Sequence, residues 1–265
     1  MEGLRKARAF RDALAAGELS LGAQLTLQDP STVEIFARAG YTWLVVDTEH
    51  SAHDLGTVKA MLQAGAGFDA VLLVRTLRLD VREIGRYLDL GAHGVLCPFV
   101  ETASQAALLV KACRYPPEGL RGYGPRRASG YGFDAPDYFA QANESLICIP
   151  ILETKRAVAN AREIVAVEGI NAVLVGPMDL SIDIGTSGDF HHPLYTQAFE
   201  IVRKECAAQG KTMGAACHDA DQAIEFYKAG ERMLLVGGDD VALHDTAAMT
   251  VDRLESMEQR IGGNS

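Results

Sequence analysis

The sequence predicts an α/β fold, a (β/α)8 barrel with a long loop after the helix of the fourth unit. Short apolar runs of Val, Leu and Ile recur along the chain. Each run is followed by a helix-like segment, and the pair repeats eight times in 265 residues without a break in composition. Such runs are typical of a parallel sheet buried on both faces, and eight units suit one barrel of about 250 residues. A doubly wound open sheet is the alternative, because spacing alone does not show closure.

The predicted strands are runs of four to eight residues. In chain order they are LGAQLT (21–26), YTWLVVD (41–47), AVLLVR (70–75), GVLCPFV (94–100), LICIPILE (146–153), NAVLVG ending at Gly176, TMGAAC (212–217) and RMLLVG (232–237). Their length and their content of β-branched residues distinguish them from the longer amphipathic segments between them.

The predicted helices begin with an amphipathic N-terminal helix, which has the wrong charge pattern for a signal peptide. The segments that follow the strands are Thr32–Ala39, Leu55–Gln63, Val81–Leu90, Ala103–Cys113, Ala157–Val167, Leu194–Gln209, Ala220–Ala229 and Ala242–Glu258. Residues 114–145 are predicted as an irregular loop, long enough to cross to the other face of the barrel or to reach a neighbouring subunit. A second loop is predicted between Gly176 and Leu194.

Composition limits the classes of function. The chain is 48% hydrophobic and carries a formal charge of −10, which argues against nucleic acid and anionic membranes as partners. No stretch reaches about 18 uncharged apolar residues, so no transmembrane helix is predicted. The five scattered cysteines include no CxxC pair and predict free thiols in the cytoplasm. We therefore expect residues 1–265 to form a single cytoplasmic domain.

Two acids at predicted strand ends are candidate metal ligands. Glu153 ends the fifth strand and Asp179 follows the sixth, at the barrel face where such enzymes carry out their chemistry. Two carboxylates, with water at the remaining positions, suit a hard divalent ion such as Mg²⁺ or Mn²⁺. The alternative is that they cap the following helices. That interpretation is equally good for Asp179 and weaker for Glu153, because Glu is a poor N-cap residue.

Three further residues are candidates for acid–base chemistry or anion binding. His50 follows two acids and is either a general base or a polar loop residue. Arg75 either binds a carboxylate or enolate oxygen, or forms a salt bridge to Asp47. Arg121 in the long loop is a candidate for holding an anionic substrate, as is the pair 126–127, which equally suits a solvated loop or an interface.

Taken together, these residues resemble the HpcH/HpaI family of metal-dependent (class II) pyruvate aldolases. The passages that carry the resemblance run in family order: VDTEHS (46–51), LLVR (72–75), YLDLGAHGVLCPFV (87–100), RYPPEGLRGYG (114–124), ILET (151–154) and VEGINAVLVGPMDLSIDIG (167–185). Six ordered motifs are more specific than any one of them. The resemblance implies a barrel of the phosphoenolpyruvate/pyruvate type.

The resemblance also implies a role for each matching residue. His50 corresponds to the base, Asp89 to the acid that orients it, and Arg75 to the arginine on the pyruvate carbonyl or enolate oxygen. Glu153 and Asp179 correspond to ligands of a divalent ion (Mg²⁺, Mn²⁺ or Co²⁺). The backbone of Gly176, Pro177 and Met178 would line the pyruvate carboxylate. The resemblance further implies assembly into a hexamer, a trimer of dimers, in which the C-terminal helix is exchanged between partners.

The activity implied by the resemblance is reversible cleavage of a 4-hydroxy-2-oxo acid to pyruvate and an aldehyde. Three positions, Thr48, Thr76 and Ile151, depart from the residues expected of the family and leave the second substrate open. An acyl-CoA lyase of the citrate-lyase type and a non-catalytic small-molecule binding barrel are alternatives. A Schiff-base aldolase is disfavoured, because Lys155 is the only lysine predicted near the barrel mouth.

Overall fold

Eight parallel strands close into a barrel in the order β1 to β8, with β8 pairing back onto β1. In this computed structural model the backbone is described for residues 1–262 and the side chains for residues 1–257. The strands are β1 Ser20–Leu25, β2 Trp43–Asp47, β3 Val71–Arg75, β4 Gly94–Cys97, β5 Ile147–Leu152, β6 Ala172–Val175, β7 Thr212–Cys217 and β8 Met233–Gly238. The predicted (β/α)8 barrel is confirmed. The single-domain prediction for 1–265 includes three residues outside the described range.

The helices cover the outside of the barrel and close one of its ends. They are α1 Glu2–Ala15, α2 Ser31–Arg38, α3 Leu55–Ala64, α4 Val81–Asp89, α5 Ala103–Cys113, α6 Ala135–Ser145, α7 Lys155–Ala159, α8 Ala161–Val165, α9 Pro177–Ile184, α10 Pro193–Ala208, α11 Ala220–Ala229 and α12 Asp239–Gly262. Short 3-10 turns occupy Gly65–Gly67 and Gly130–Gly132.

Four of the sequence predictions need correction. The loop 114–145 contains the 11-residue helix α6, and the predicted loop after β6 contains α9. The predicted helix 157–167 is instead a pair of short helices separated at Asn160. Strand β4 stops at Cys97, before the predicted end at residue 100. Pro98 has no N–H to offer the sheet, and the next residue, Phe99, has a φ of 52° that leaves the extended region.

Side chains alternate between the barrel interior and the helix layer. In β2 and β3, Trp43, Val45, Val71 and Leu73 belong to an interior cluster, whereas the residues between them pack against the helices. The same cluster includes the apolar face of α1, residues Ala7, Phe10 and Leu14, so α1 closes the amino end of the barrel. The opposite end of the barrel, at the carboxyl ends of the strands, is not covered by α1 and contains the candidate functional residues.

This alternation places polar residues at the open end of the barrel. Asp47 and Arg75 are two residues beyond Val45 and Leu73, and Glu153 is two residues beyond Ile151, which also faces the interior. Since side chains two apart on a strand share a face, these three point into the mouth of the barrel.

Two predictions on cellular context can be compared with the structure. Within residues 1–262 no helix combines the length and the apolar composition needed to cross a bilayer. All five cysteines are buried and free, as predicted.

Candidate active site

Arg75 and Asp47 form a two-pronged ion pair at the centre of the mouth. They are register partners on β3 and β2. Arg75 Nε donates to Asp47 Oδ1 at 2.8 Å, and a terminal nitrogen donates to Oδ2 at 2.6 Å. Asp47 is fully buried and also accepts from the Gln24 amide at 2.9 Å. The salt bridge considered for Arg75 therefore exists, and it fixes the guanidinium rather than removing it from the site.

The loop after β2 carries Glu49 and His50. Asp47 Oδ1 accepts the Glu49 backbone N–H at 3.0 Å and that of His50 at 3.4 Å, which folds the loop over the pair. Glu49 Oε2 lies 3.3 Å from Arg75 Nη1 and 3.9 Å from His50 Nε2. The His50 side chain is 63% exposed at the mouth, so a bound molecule can reach its ring. Burial raises the pKa of Glu49, and the neighbouring Arg75 opposes that rise.

Glu153 is held deep in the mouth by backbone. Its Oε1 accepts the N–H of Phe99 at 2.7 Å. Its Oε2 lies against Gly176, where a Cβ would come within 2.4 Å of it, so only glycine fits at that position. The pKa of Glu153 is raised to about 7, chiefly by burial and also by the nearby carboxylates of Asp179 and Glu49, while the Phe99 N–H and Arg75 oppose the rise.

Asp179 lies in the first turn of α9, but it does not cap that helix. The capping position is Gly176, followed by Pro177 and Met178, and Thr154 occupies the corresponding position of α7. The alternative interpretation of Glu153 and Asp179 as helix caps is therefore wrong. Both carboxylates are free to face the mouth.

The carboxylates at the mouth have the chemistry of a divalent-cation site. The negative charge of Asp179 raises the pKa of both Glu49 and Glu153, and Glu49 also raises that of Glu153, with Arg75 as the nearby cation. A divalent ion would relieve that repulsion, and oxygen ligands are those that Mg²⁺ and Mn²⁺ prefer. Within residues 1–257 no group of three or more His, Cys, Asp or Glu forms a ready metal cage. The donor set fits an ion held by two carboxylates and completed by water or substrate.

Asp89 and Arg121 lie together, away from this mouth. Asp89 is the last residue of α4, at the amino end of the barrel, whereas His50 is at the carboxyl end. Arg121 is fully buried and donates to Asp89 Oδ1 at 2.7 Å and to the Tyr138 hydroxyl at 3.1 Å. Its Nε and Nη1 have no hydrogen-bond partner among the described residues. The structure thus does not bring Arg121 to the substrate site, nor Asp89 to His50 of the same chain.

The sequence analysis missed several groups that build the site. The Phe99 N–H holds Glu153, Gln24 holds Asp47, and the two ring nitrogens of His53 lie 2.6 and 3.0 Å from the carbonyl oxygens of Asp47 and Leu27. Residue-type patterns do not reveal a backbone donor. Gln24 could have been predicted as a site residue, because it lies an even number of residues along β1 from the positions that face the barrel interior.

The chain has relatives among proteins of known name and structure. The family model described as HpcH/HpaI aldolase/citrate lyase matches residues 21–245. The chain belongs to this family. A hydroxypyruvate/pyruvate aldolase of Roseovarius nubinhibens is 38% identical, over 91% of this chain and 95% of the relative. A 4-hydroxy-2-oxovalerate aldolase of Rhodococcus jostii is 39% identical, over 87% and 89%. The crystal structure of a family protein from Burkholderia cenocepacia has a TM-score of 0.90 at 30% identity, over 94% and 99%.

Proposed function

We propose that this protein is a carbon–carbon lyase that reversibly cleaves a 4-hydroxy-2-oxo acid to pyruvate and an aldehyde. The observation that carries the proposal is the arrangement of charged side chains at the mouth of the barrel. One fixed guanidinium, Arg75, faces carboxylates whose mutual repulsion favours a divalent cation. Such a site suits a 2-oxo acid, which offers a carboxylate and a carbonyl oxygen side by side. The names of the curated relatives, both aldolases, support the same reaction.

We assign the binding of the cation to Glu153 and Asp179. The ion, Mg²⁺ or Mn²⁺ and also Co²⁺ in principle, supplies Lewis-acid polarisation of the 2-oxo group when bound. The Phe99 N–H fixes Glu153, and the close approach of Gly176 leaves that carboxylate no room to turn away. The first turn of α9, with Gly176, Pro177 and Met178, is assigned to the carboxylate of the 2-oxo acid, because free N–H groups at a helix start favour an anion.

The remaining residues move the proton and stabilise charge. His50 takes the proton of the C4 hydroxyl, the C3–C4 bond breaks, and the aldehyde leaves. The electron pair of the broken C3–C4 bond stays with the pyruvate fragment and forms its enolate. The enolate oxygen is stabilised by a hydrogen bond from Arg75. Transfer of that proton from His50 to C3 then gives pyruvate and restores the base. Because Asp47 holds Arg75 at two points, the guanidinium is in place before substrate arrives.

The alternative functions have less support. Lys155 is exposed at the start of α7, whereas a lysine that forms a Schiff base is activated by desolvation or by a neighbouring cation. A citrate-lyase-type reaction is within the family's description, but the similar curated relatives are named aldolases. Release of pyruvate distinguishes an aldolase from a binding barrel without turnover.

Pyruvate release after metal removal tests the proposal. The wild-type protein, treated with excess chelator, should release no pyruvate from 4-hydroxy-2-oxo acids of several chain lengths, and Mg²⁺ or Mn²⁺ should restore release. Asp179→Asn should need at least tenfold more metal. Asp221→Asn, which changes an exposed acid in the first turn of α11, should respond like the wild type and serves as the matched control. Full activity in excess chelator would contradict the proposal.

Assembly with further copies is the second part of the proposal. Helix α12 carries exposed apolar side chains along its described length, including Leu243, Met249 and Leu254. Beside β1 and β8 lies an apolar groove of about 340 Å³, lined by residues that include Leu21 and Tyr227. We infer that two copies exchange α12, each covering the groove of the other, within a hexamer. A contact between His50 and Asp89 would then have to form between copies. The five buried thiols support a cytoplasmic setting.

A further inference from the structure

A second polar cavity, of about 300 Å³, lies at the amino end of the barrel. It is formed by the first turn of α1, the 3-10 turn Gly65–Gly67, the link between α4 and β4, and the loop around Arg127. We call it the basal cavity. It lies on the opposite side of the α1 plug from Arg75 and Glu153, so the aldolase reaction does not use it.

Two cations line the basal cavity without a carboxylate partner of their own. Lys6 is only 6% exposed, and its Nζ donates to the carbonyl oxygens of Ala66, at 3.0 Å, and Phe68. Arg127 donates from its two terminal nitrogens to the carbonyl oxygens of Leu90 and Leu62, at 2.7 and 3.0 Å. Within the described residues, no ion pair is formed by either side chain. Both cations are therefore held by neutral groups and keep unused donors.

The helix ends nearby offset only part of this positive charge. The carbonyls that bind Lys6 and Arg127 lie at or just beyond the carboxyl ends of α3 and α4. A helix carboxyl end carries roughly half a negative charge, so two of them offset about one of the two positive charges. About one unit of positive charge remains.

Two acids stand at the rim of the cavity, and each already has a cation. Glu2 forms an ion pair with Arg5, and Asp134 lies 3.6 Å from the amino group of Met1. Glu2 also lies within Coulombic range of Lys6, but because each rim acid is already paired with another cation, the two acids offset only part of the positive charge inside the cavity.

His93 adds a neutral donor to the same cavity. Its Nδ1 accepts the backbone N–H of Leu72 at 2.8 Å, so Nε2 carries the hydrogen of the neutral ring. Burial, with Lys6 and Arg127 nearby, lowers the pKa of His93 to about 3, so the ring stays neutral. Gly3 lies over this edge of the ring, and a Cβ there would come within 3.2 Å of Nε2. A glycine at this position leaves the donor accessible.

We propose that the basal cavity binds a compact oxyanion, a carboxylate or a phosphate, between Lys6, Arg127 and the Nε2–H of His93. The three groups supply donors on several sides, and one monoanion balances the remaining charge. The volume admits a molecule of several heavy atoms. The site lies outside the aldolase chemistry and does not depend on the proposed reaction.

Calorimetric titration of the full chain with sodium phosphate, and separately with sodium acetate, tests this site. Ionic strength is held constant with chloride, because phosphate also acts on protein stability without binding. Gly3→Asp places a carboxylate against His93 without removing an existing hydrogen bond, and Lys6→Met removes one of the two cations. Arg75→Met is the control for binding at the catalytic mouth.

We expect saturable binding of at least one of the two anions to the wild type. The anion that binds more tightly indicates whether the natural ligand is a phosphate or a carboxylate. The affinity should fall at least tenfold in Gly3→Asp and Lys6→Met and should be unchanged in Arg75→Met. If Lys6→Met does not fold, Gly3→Asp alone decides. The proposal is overturned if neither anion binds, if binding survives Gly3→Asp, or if it is lost in Arg75→Met.

Discussion

Replacing Glu153 by glutamine should stabilise the metal-free protein at neutral pH while removing its metal site. The wild-type carboxyl has a pKa of about 7 instead of its ordinary 4.5, chiefly because it is buried. At about 1.4 kcal/mol per pH unit, keeping it ionised in the fold costs about 3 kcal/mol above pH 7. Glutamine has nearly the same shape and can still accept the Phe99 N–H, but it carries no charge.

The direction of the pH dependence follows from proton linkage. Between pH 4.5 and 7 the folded wild type keeps a proton on Glu153 that the unfolded chain has already lost. Its free energy of unfolding therefore falls as the pH rises through this window. Glu153→Gln lacks that proton equilibrium. The stability difference between variant and wild type should grow by about 3 kcal/mol from pH 4.5 to 7.5.

Urea unfolding in chelator, at matched protein concentrations and several pH values, measures this difference. Glu163→Gln, on an exposed part of α8, controls for the loss of one acid. Adding Mg²⁺ at pH 8 should then stabilise the wild type and leave Glu153→Gln unchanged, because only the wild type keeps both ligands. A difference that does not vary with pH, or a variant less stable than the wild type at pH 8, would refute the reasoning.

Three further predictions concern the base, the buried arginine and the terminal helix. His50→Ala should lower kcat at least a hundredfold and leave metal-dependent pyruvate binding intact by calorimetry; loss of both together would remove His50 from its assigned role. Arg121→Met should lower the free energy of unfolding by about 1–3 kcal/mol with an unchanged KM for the 2-oxo acid, whereas a tenfold rise in KM at unchanged stability would restore Arg121 to the substrate site. Leu254→Glu should reduce the molar mass measured by light scattering. Ser256→Glu, about 200° further round the helix, should not, and equal masses for both would exclude α12 from the interface.

Much of the fold could be predicted because its strands are buried on both faces. Such strands read as continuous apolar runs, and β7 has the predicted bounds, Thr212–Cys217. The missed helix α9 starts with Gly176 and Pro177, which usually indicate a turn. In this chain the proline stands in the first turn, where a helix needs no N–H from it.

The candidate site could be predicted only where it depends on strand ends. Arg75, Glu153 and Asp47 were found because strand parity and strand ends are visible in the sequence. Arg121 was placed wrongly. Side chains in a loop do not alternate between two faces as they do in a strand, and the sequence does not show whether an arginine is buried or exposed. Its actual surroundings, the rings of Tyr115 and Tyr138 and the Asp89 carboxylate, form only when α6 folds back along the barrel.

A crystal structure of the protein soaked with Mn²⁺ and pyruvate tests the central claim most directly. The manganese anomalous signal should lie between the carboxylates of Glu153 and Asp179, with pyruvate bound beside it and its carbonyl oxygen within hydrogen-bond distance of Arg75. Manganese bound elsewhere, or pyruvate bound away from Arg75, would contradict the account.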